Sequence, residues 1–239
     1  MGGEHTQETK GHRDPREKKG DDGASARESQ PSAETIRHRS GGKPGDLKVV
    51  SWNTCGFTGK KIELEERFSV LNPDVLLLQE TLVQQRELWI PGFQVVSQPA
   101  EDSPGKRGVA IAVRGGLSVK EVGVQGPHFC LGEIKGLFGK SVIGSVYIPC
   151  NEQTATMEDL GRAVGKLVVR KGQILLGGDW NLDRASLTAE VEKWRLDAKV
   201  IEYNGSPMTR HAWKNDRREW STLDYFVSVG PVVCTKAVV

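Results

Sequence analysis

Short runs of apolar residues, separated by turn-forming residues, begin at Leu47 and continue to the end of the chain. Continuous apolar runs of roughly four to eight residues between turns are typical of strands that are covered on both faces. The pattern predicts strands at 47–52, 75–78, 108–113, 117–124, 129–135, 141–148, 173–176, 219–229 and 232–239.

Three other segments carry apolar residues at helical spacing and predict helices. The first covers 62–71 and ends before Pro73, a residue that cannot continue a helix. The other two cover 154–169 and 188–196. Since strands outnumber helices and the two are mixed along the chain, the predicted fold class is α/β, with sheets and helices in layers.

Residues 1–46 differ from the rest of the chain in composition. This segment is rich in Gly, Ser, Glu, Lys and Arg, and Met1 and Ile36 are its only large aliphatic residues. Because such a segment buries too little apolar surface to offset the entropy of ordering, we expect a disordered N-terminal tail. Its basic and acidic residues are equal in number, which favours a tail over a nucleic-acid-binding arm. The domain itself is expected to span 47–239.

Composition narrows the class of protein. The chain has 33 basic and 31 acidic residues, a balance that is compatible with a local basic rim around an acidic site. Its four cysteines are widely spaced and form no Cys-x-x-Cys pair, which disfavours a zinc site and a disulfide framework. No stretch approaches the roughly 20 apolar residues of a membrane helix. The polar N-terminus lacks an apolar signal core. We therefore expect an intracellular protein that is not secreted and has no membrane partner.

Polar residues follow or interrupt the apolar runs at several positions. They are Asn53, Glu80, Tyr147, Asp179, Asn181 and Asp224. An unpaired carboxylate inside a buried strand costs several kcal/mol or more. Such residues are therefore expected at strand ends that converge on one site. Asp224 is the hardest to explain otherwise, because both of its flanks are apolar.

Most of these residues also have an ordinary structural explanation. Glu80 alone fits a loop acid or a helix cap as well as it fits a functional residue. Asp179 and Asn181, which follow two glycines, fit an Asx turn, and Asn53 fits a turn residue. Tyr147 fits a core aromatic residue with a hydrogen-bonded hydroxyl.

Six short motifs contain these residues and the apolar strands around them. They are Ser-Trp-Asn53, Leu-Leu-Gln-Glu80, Gly-Val-Ala-Ile-Ala-Val113, Gly-Ser-Val-Tyr147-Ile-Pro, Gly-Gly-Asp179-Trp-Asn181 and Ser-Thr-Leu-Asp224-Tyr-Phe. Each motif is weak alone, but their order and spacing over 47–229 resemble the endonuclease/exonuclease/phosphatase superfamily. The residues of these motifs are most similar to those of the apurinic-type endonuclease domains of non-LTR retrotransposons. The resemblance implies a two-sheet α/β sandwich with flanking helices, the DNase I-like fold.

The resemblance also implies a role for each site residue. Glu80 is the principal metal ligand with Asn53 beside it, and the metal is Mg²⁺ or Mn²⁺, since hard cations prefer oxygen ligands. Asp179 orients or activates the attacking water. Asn181 holds a phosphate oxygen or the nucleophile, and Tyr147 donates to the phosphate or assists the leaving group.

Asp224, by the same resemblance, orients a catalytic histidine that the family carries in a closing Ser-Asp-His motif. That motif does not occur in this sequence, which ends Cys-Thr-Lys-Ala-Val-Val239 where the motif would be expected next. His128 and His211 lie outside the pattern, and ordinary structural roles explain both. We therefore expect a C-terminal truncation and severely reduced activity, because losing one member of a coupled catalytic unit costs several orders of magnitude.

The substrate-contacting residues are less constrained by the pattern. Arg107, Arg217 and Arg218 are candidates for DNA phosphate contacts, and Trp213 is a candidate for stacking or groove insertion. A solvated basic loop and hairpin packing explain them equally well. His211-Ala-Trp213 and the two arginines resemble the hairpin region of the retrotransposon domains.

The sequence thus predicts Mg²⁺-dependent nicking of DNA for element insertion, in the nucleus or cytoplasm, with a reverse transcriptase domain as a partner in the intact element. Two alternatives remain open. One is an inactive element relic or non-catalytic module, which the absent Ser-Asp-His motif favours. The other is a superfamily phosphodiesterase that acts on a phosphoinositide or sphingolipid.

Overall fold

The computed structural model describes residues 32–37, 46–84, 88–100, 107–136, 139–171, 173–204, 208–214 and 217–238. Within these ranges the chain forms two six-stranded sheets and one two-stranded hairpin. No helix among the described residues is long and apolar enough to cross a membrane.

The first sheet contains the strands that precede and follow the first helix. They are β1 (Ser32–Arg37), β2 (Asp46–Asn53), β3 (Val75–Gln79), β4 (Phe93–Gln98), β5 (Val109–Arg114) and β14 (Val233–Val238), with α1 (Lys61–Leu71) between β2 and β3. Their order across the sheet is β14-β1-β2-β3-β5-β4. Because β2 and β3 are parallel, both end at the same edge, where Asn53 pairs with Gln79.

The second sheet is built in the same way around the second helix. Its strands are β6 (Ser118–Glu121), β7 (Phe129–Gly136), β8 (Gly139–Tyr147), β9 (Ile174–Asp179), β10 (Ala198–Val200) and β13 (Asp224–Val229), and α2 (Gln153–Lys171) joins β8 to β9. Their order is β10-β13-β9-β8-β7-β6. The parallel pairing of β8 and β9 sets Tyr147 beside Asp179, and antiparallel β13 sets Asp224 on the other side of Asp179.

Three apolar clusters hold these layers together. Leu77 and Phe226, both fully buried, belong to the cluster between the sheets. Leu64 and Phe68 bury the inner face of α1 against the first sheet. Leu160 of α2 belongs to the third cluster, which covers the outer face of the second sheet. The structure therefore confirms the two-sheet α/β sandwich with helices on its outer faces.

The expected tail needs one correction. Ser32–Arg37 lies inside the segment 1–46 that we expected to be disordered, yet it forms β1 and pairs with both β2 and β14. Backbone hydrogen bonds hold a strand in a sheet without requiring a run of apolar side chains. Composition alone therefore missed this strand. Asp46 likewise belongs to β2, and the remainder of 1–46 lies outside the described residues.

The hairpin before β13 and the third helix also differ from the sequence prediction. The strand expected over 219–229 is divided, because the Thr209 hydroxyl accepts hydrogen bonds from the backbone N–H groups of Leu223 and Asp224 at the break. The preceding part is β12 (Arg217–Ser221), which forms a hairpin with β11 (Arg210–Lys214). The third helix, α3 (Arg184–Glu192), begins earlier than predicted. Asp183 caps this helix, its carboxylate accepting from the Ser186 N–H at 2.9 Å.

Candidate active site

The C-terminal ends of β2, β3, β8 and β9 meet at one place between the two sheets. The Asn53 amide donates one hydrogen bond to Glu80 Oε1 at 3.0 Å and another to Asp179 Oδ2 at 2.8 Å. The Tyr147 hydroxyl approaches the Glu80 and Asp179 carboxylates from the second sheet. The fold thus joins residues that lie up to 126 positions apart in sequence around a single amide.

The site is shielded from solvent and negatively charged. Asn53 and Asp179 are only 9% and 8% exposed, and Glu80 is half-buried. Burial, together with the negative charges of Glu80 and Asp179, raises the pKa of Tyr147 far above its ordinary value. Tyr147 therefore remains a protonated hydroxyl donor at neutral pH, and two carboxylates share a region that favours a cation.

Two of the site residues have an unusual backbone conformation. Glu80 and Asn181 have φ angles of 47° and 48°, in the left-handed region that residues other than glycine seldom adopt. The Glu80 carbonyl accepts from the Gly56 N–H at 2.8 Å and from the Thr54 hydroxyl at 3.1 Å. Asn181 is held by its side-chain amide, which donates to the Ile148 carbonyl at 3.0 Å. These contacts maintain a strained backbone at the site, a feature that clusters at functional centres.

Asp179 both forms an Asx turn and takes part in the cluster around Asn53. Its Oδ1 atom accepts from the Asn181 backbone N–H at 3.1 Å, which is the contact of an Asx turn. Its Oδ2 atom accepts from Asn53 on the opposite sheet. The turn contact therefore fixes the carboxylate and leaves it pointing into the cluster.

Asp224 lies beside this cluster. It pairs directly with Asp179 across β9 and β13 and is 6% exposed. The Tyr203 hydroxyl donates to its backbone carbonyl at 2.8 Å. Its role of orienting a histidine stays a prediction. His128 is engaged elsewhere, with Nε2 3.0 Å from the Glu152 carboxylate.

Sequence reasoning gave no role to Gln79, which joins the two sheets beneath the site. Its side-chain amide donates to Ser145 Oγ at 2.9 Å, and the Ser145 hydroxyl donates to the Leu78 carbonyl at 2.9 Å. Ser51 lies on the other side, with its hydroxyl 3.4 Å from Gln79 Oε1. A fully buried amide requires such partners, so a glutamine directly after an apolar run was the available signal.

Glu152 forms a second bridge that the sequence did not reveal. Its carboxylate accepts from the Arg107 guanidinium and contacts His128 Nε2. The Arg107 carbonyl accepts from the Leu82 N–H at 3.1 Å, and the His128 carbonyl accepts from the Tyr147 N–H at 2.8 Å. The bridge therefore connects the loop after Glu80 with the end of β8. Arg107 has an internal ion-pair partner, which favours its structural explanation, and its contact with DNA stays a prediction.

We expect the substitution Glu152→Gln to lower Tm by about 2–4 °C at pH 7. The hydrogen bond from His128, assisted by the charge of Arg107, holds the pKa of the Glu152 carboxyl below its ordinary value. A lowered pKa means that the carboxylate stabilises the fold above its ordinary pKa and loses this contribution as pH falls through the lowered value. The difference in Tm from wild type should therefore vanish in acid. Thermal unfolding between pH 7 and pH 3 measures it.

The control for this bridge is Glu158→Gln, which removes the same charge from an exposed position of α2. Equal Tm values for the two variants at pH 7 would show that the bridge does not stabilise the fold.

The remaining predicted DNA contacts lie on the hairpin. Trp213 pairs with Arg218 between β11 and β12, and Lys214 pairs with Arg217. The side chains of Trp213, Arg217 and Arg218 are outside the described part of the structure, so their contacts with DNA stay predictions.

The metal-binding capacity of the cluster depends on mixed donors. Among the described residues, no three His, Cys, Asp or Glu side chains group as a metal site. The candidate set instead combines the carboxylates of Glu80 and Asp179 with the amide of Asn53. All of its available ligand atoms are oxygens, the type that Mg²⁺ and Mn²⁺ prefer.

Known structures with a similar fold include an endonuclease domain, a catalytic domain and an AP endonuclease. The endonuclease domain of TRAS1, a telomere-specific non-LTR retrotransposon, superposes with a TM-score of 0.60 at 16% identity, covering 76% of this chain and 84% of that one. The catalytic domain of Xenopus laevis APE2 has a TM-score of 0.54 at 16% identity, with 77% and 82% covered. The AP endonuclease LMAP from Leishmania major has a TM-score of 0.54 at 14% identity, with 76% and 78% covered.

At these identities the superpositions establish the fold alone. No curated protein matches the chain in sequence. The family model for the endonuclease/exonuclease/phosphatase family, in contrast, matches residues 50–237, which include Asn53, Glu80, Tyr147 and Asp179. The chain therefore belongs to the endonuclease/exonuclease/phosphatase family.

Proposed function

We propose that this chain is a divalent-metal-dependent phosphodiester hydrolase that nicks DNA. The observation that carries the proposal is that the Asn53 amide donates hydrogen bonds to both Glu80 and Asp179. The Tyr147 hydroxyl lies near the Glu80 carboxylate. Phosphodiester hydrolysis needs a cation at the phosphate, a positioned water and a stabilised leaving oxygen, and the cluster contains candidates for each.

Glu80 and Asn53 would hold the metal, Mg²⁺ or Mn²⁺. The negative charges of Glu80 and Asp179 repel each other in this shielded site, and a bound cation would offset that repulsion, which supports this assignment. Bound there, the ion would supply positive charge at a phosphate oxygen.

The other residues act on the water and the phosphate. Asp179 is fixed by Asn53 and by the Asn181 N–H, so its carboxylate is oriented to accept a proton from the attacking water. Asn181, tied to the Ile148 carbonyl, positions the nucleophile or a phosphate oxygen beside it. Tyr147, whose raised pKa keeps it protonated, donates a hydrogen bond to the phosphate.

DNA is the proposed substrate because the family match and the similar structures point the same way. Two of those structures are described as endonucleases, one of them from a retrotransposon. The proposal extends to nicking a target for element insertion, with a reverse transcriptase domain as partner in the intact element.

Asp224, which pairs with Asp179 across β9 and β13 and is 6% exposed, would orient a catalytic histidine, the role that the resemblance implies.

Nicking of supercoiled plasmid with Mg²⁺ or with EDTA tests this proposal. The chain is expected to convert plasmid to the open circle with Mg²⁺ and not with EDTA. If the folded chain does not nick DNA in the presence of Mg²⁺, the nuclease proposal fails. Hydrolysis of a phosphoinositide or sphingomyelin by the same protein would then identify the lipid branch.

A further inference from the structure

Trp89 is a large aromatic residue on the surface. Its side chain is 66% exposed, whereas Leu88 and Ile90 on either side are 7% and 2% exposed. The backbone at Trp89 is therefore anchored in the core while the indole faces solvent. An exposed indole on an anchored backbone can offer its ring face to a binding partner at little entropic cost.

The Lys61 ammonium group lies over the indole ring of Trp89. Lys61 Nζ lies 4.6 Å from the centre of the Trp89 ring, a cation–π distance, and Lys60 precedes it in the chain. The acidic residue of the first turn of α1, Glu63, is 3.0 Å from Arg67 and so is neutralised along the helix. The surface formed by Lys60, Lys61 and Trp89 thus combines an aromatic ring with two ammonium groups, and α1 also carries the exposed carboxylates of Glu65 and Glu66.

This surface lies at the same edge of the fold as the candidate active site. Lys61 begins α1, which residues 54–60 connect to the end of β2. The connecting loop is hydrogen-bonded to the segment after β3, from the Gly56 N–H to the Glu80 carbonyl and from the Phe57 N–H to the Thr81 carbonyl, both at 2.8 Å. A polymer bound across Glu80 would therefore reach the aromatic surface within a few monomers.

We propose that the surface of Lys60, Lys61 and Trp89 binds the DNA strand next to the scissile phosphate. The indole stacks on a base or packs on its sugar, and the two ammonium groups contact the adjacent phosphate. This inference rests on the proposed DNA-nicking function and assigns a binding surface outside the catalytic cluster. Its chemistry fits a polyanion with aromatic bases, which neither a neutral peptide nor a bare anion provides.

Fluorescence anisotropy of a labelled duplex in EDTA measures this contact without cleavage. Trp89→Ala is expected to raise Kd about tenfold, and Trp89→Phe, which keeps a ring, less than about threefold. Lys61→Ala should weaken binding. It should also reduce the slope of log Kd against the logarithm of the salt concentration by about one. Val169→Ala is the control, because this apolar residue on α2 is 85% exposed and distant in sequence from the site.

The outcomes separate this inference from the proposed function. A Kd for Trp89→Ala equal to that of wild type and Val169→Ala, in a chain that binds and nicks DNA, overturns the binding surface and leaves the nuclease proposal intact. Absence of DNA binding by the wild-type chain overturns both. A selective loss at Trp89, with Tm unchanged and recovery in Trp89→Phe, supports the surface.

Discussion

Replacing Glu80 with Gln is expected to weaken Mn²⁺ binding by at least about a hundredfold and to reduce DNA nicking to background. Changes to residues that only support a metal ligand already cost about 10- to 100-fold in affinity, so loss of the ligand charge itself should cost no less. Glutamine keeps the size of the side chain and an oxygen that can accept from Asn53. The substitution therefore removes the charge and preserves the packing.

Mn²⁺ binding by titration calorimetry or electron paramagnetic resonance measures this loss independently of the rate of nicking. Glu65→Gln is the matched control, because it removes the same charge from an exposed position of α1. Wild-type affinity in Glu80→Gln would place the metal elsewhere and would remove Glu80 from the site.

Replacing Gly178 with Ala is expected to lower the free energy of unfolding by at least about 3 kcal/mol. A Cβ atom at this position would lie 1.8 Å from the carbonyl oxygen of Val146 on the neighbouring strand. Both are backbone positions in the parallel β8–β9 pair, so the clash cannot be relieved by a side-chain rotation. Relief would require the strands to separate next to Tyr147 and Asp179.

Urea denaturation measures this effect, with Gly165→Ala as its control. Gly165 lies in α2, and a Cβ atom there meets nothing within 4 Å. Alanine should stabilise that helix by up to about 1 kcal/mol, since glycine is a poor helix former. Equal denaturation midpoints for Gly178→Ala and wild type would contradict the close approach of β8 and β9.

The sequence predicted those strands that consist of continuous runs of apolar residues. The apolar residues before Gln79 and before Asp179 predicted β3 and β9, because a strand covered on both faces needs apolar side chains at every position. The same logic placed polar residues at strand ends. The structure brings Asn53, Glu80, Tyr147 and Asp179 together at one edge, where parallel strands end side by side.

The parts that the sequence did not predict depend on contacts between distant residues. β4 (Phe93–Gln98) is a mostly half-buried strand at the sheet edge with three polar residues, so it lacks a continuous apolar run. β1 is stabilised through backbone pairing. The Glu152 bridge joins residues 24 and 45 positions apart, and no short motif encodes such a separation. Buried polar contacts of this kind become visible only when the strands are in place.

The rate of plasmid nicking with Mg²⁺, for wild type and Glu80→Gln purified in parallel, tests the central claim most directly. The arrangement of Asn53, Glu80, Tyr147 and Asp179 predicts nicking by wild type that EDTA abolishes, and none above background by Glu80→Gln. Equal nicking by the two proteins, or nicking by wild type that persists in EDTA, would contradict a metal-dependent phosphodiesterase centre at these residues.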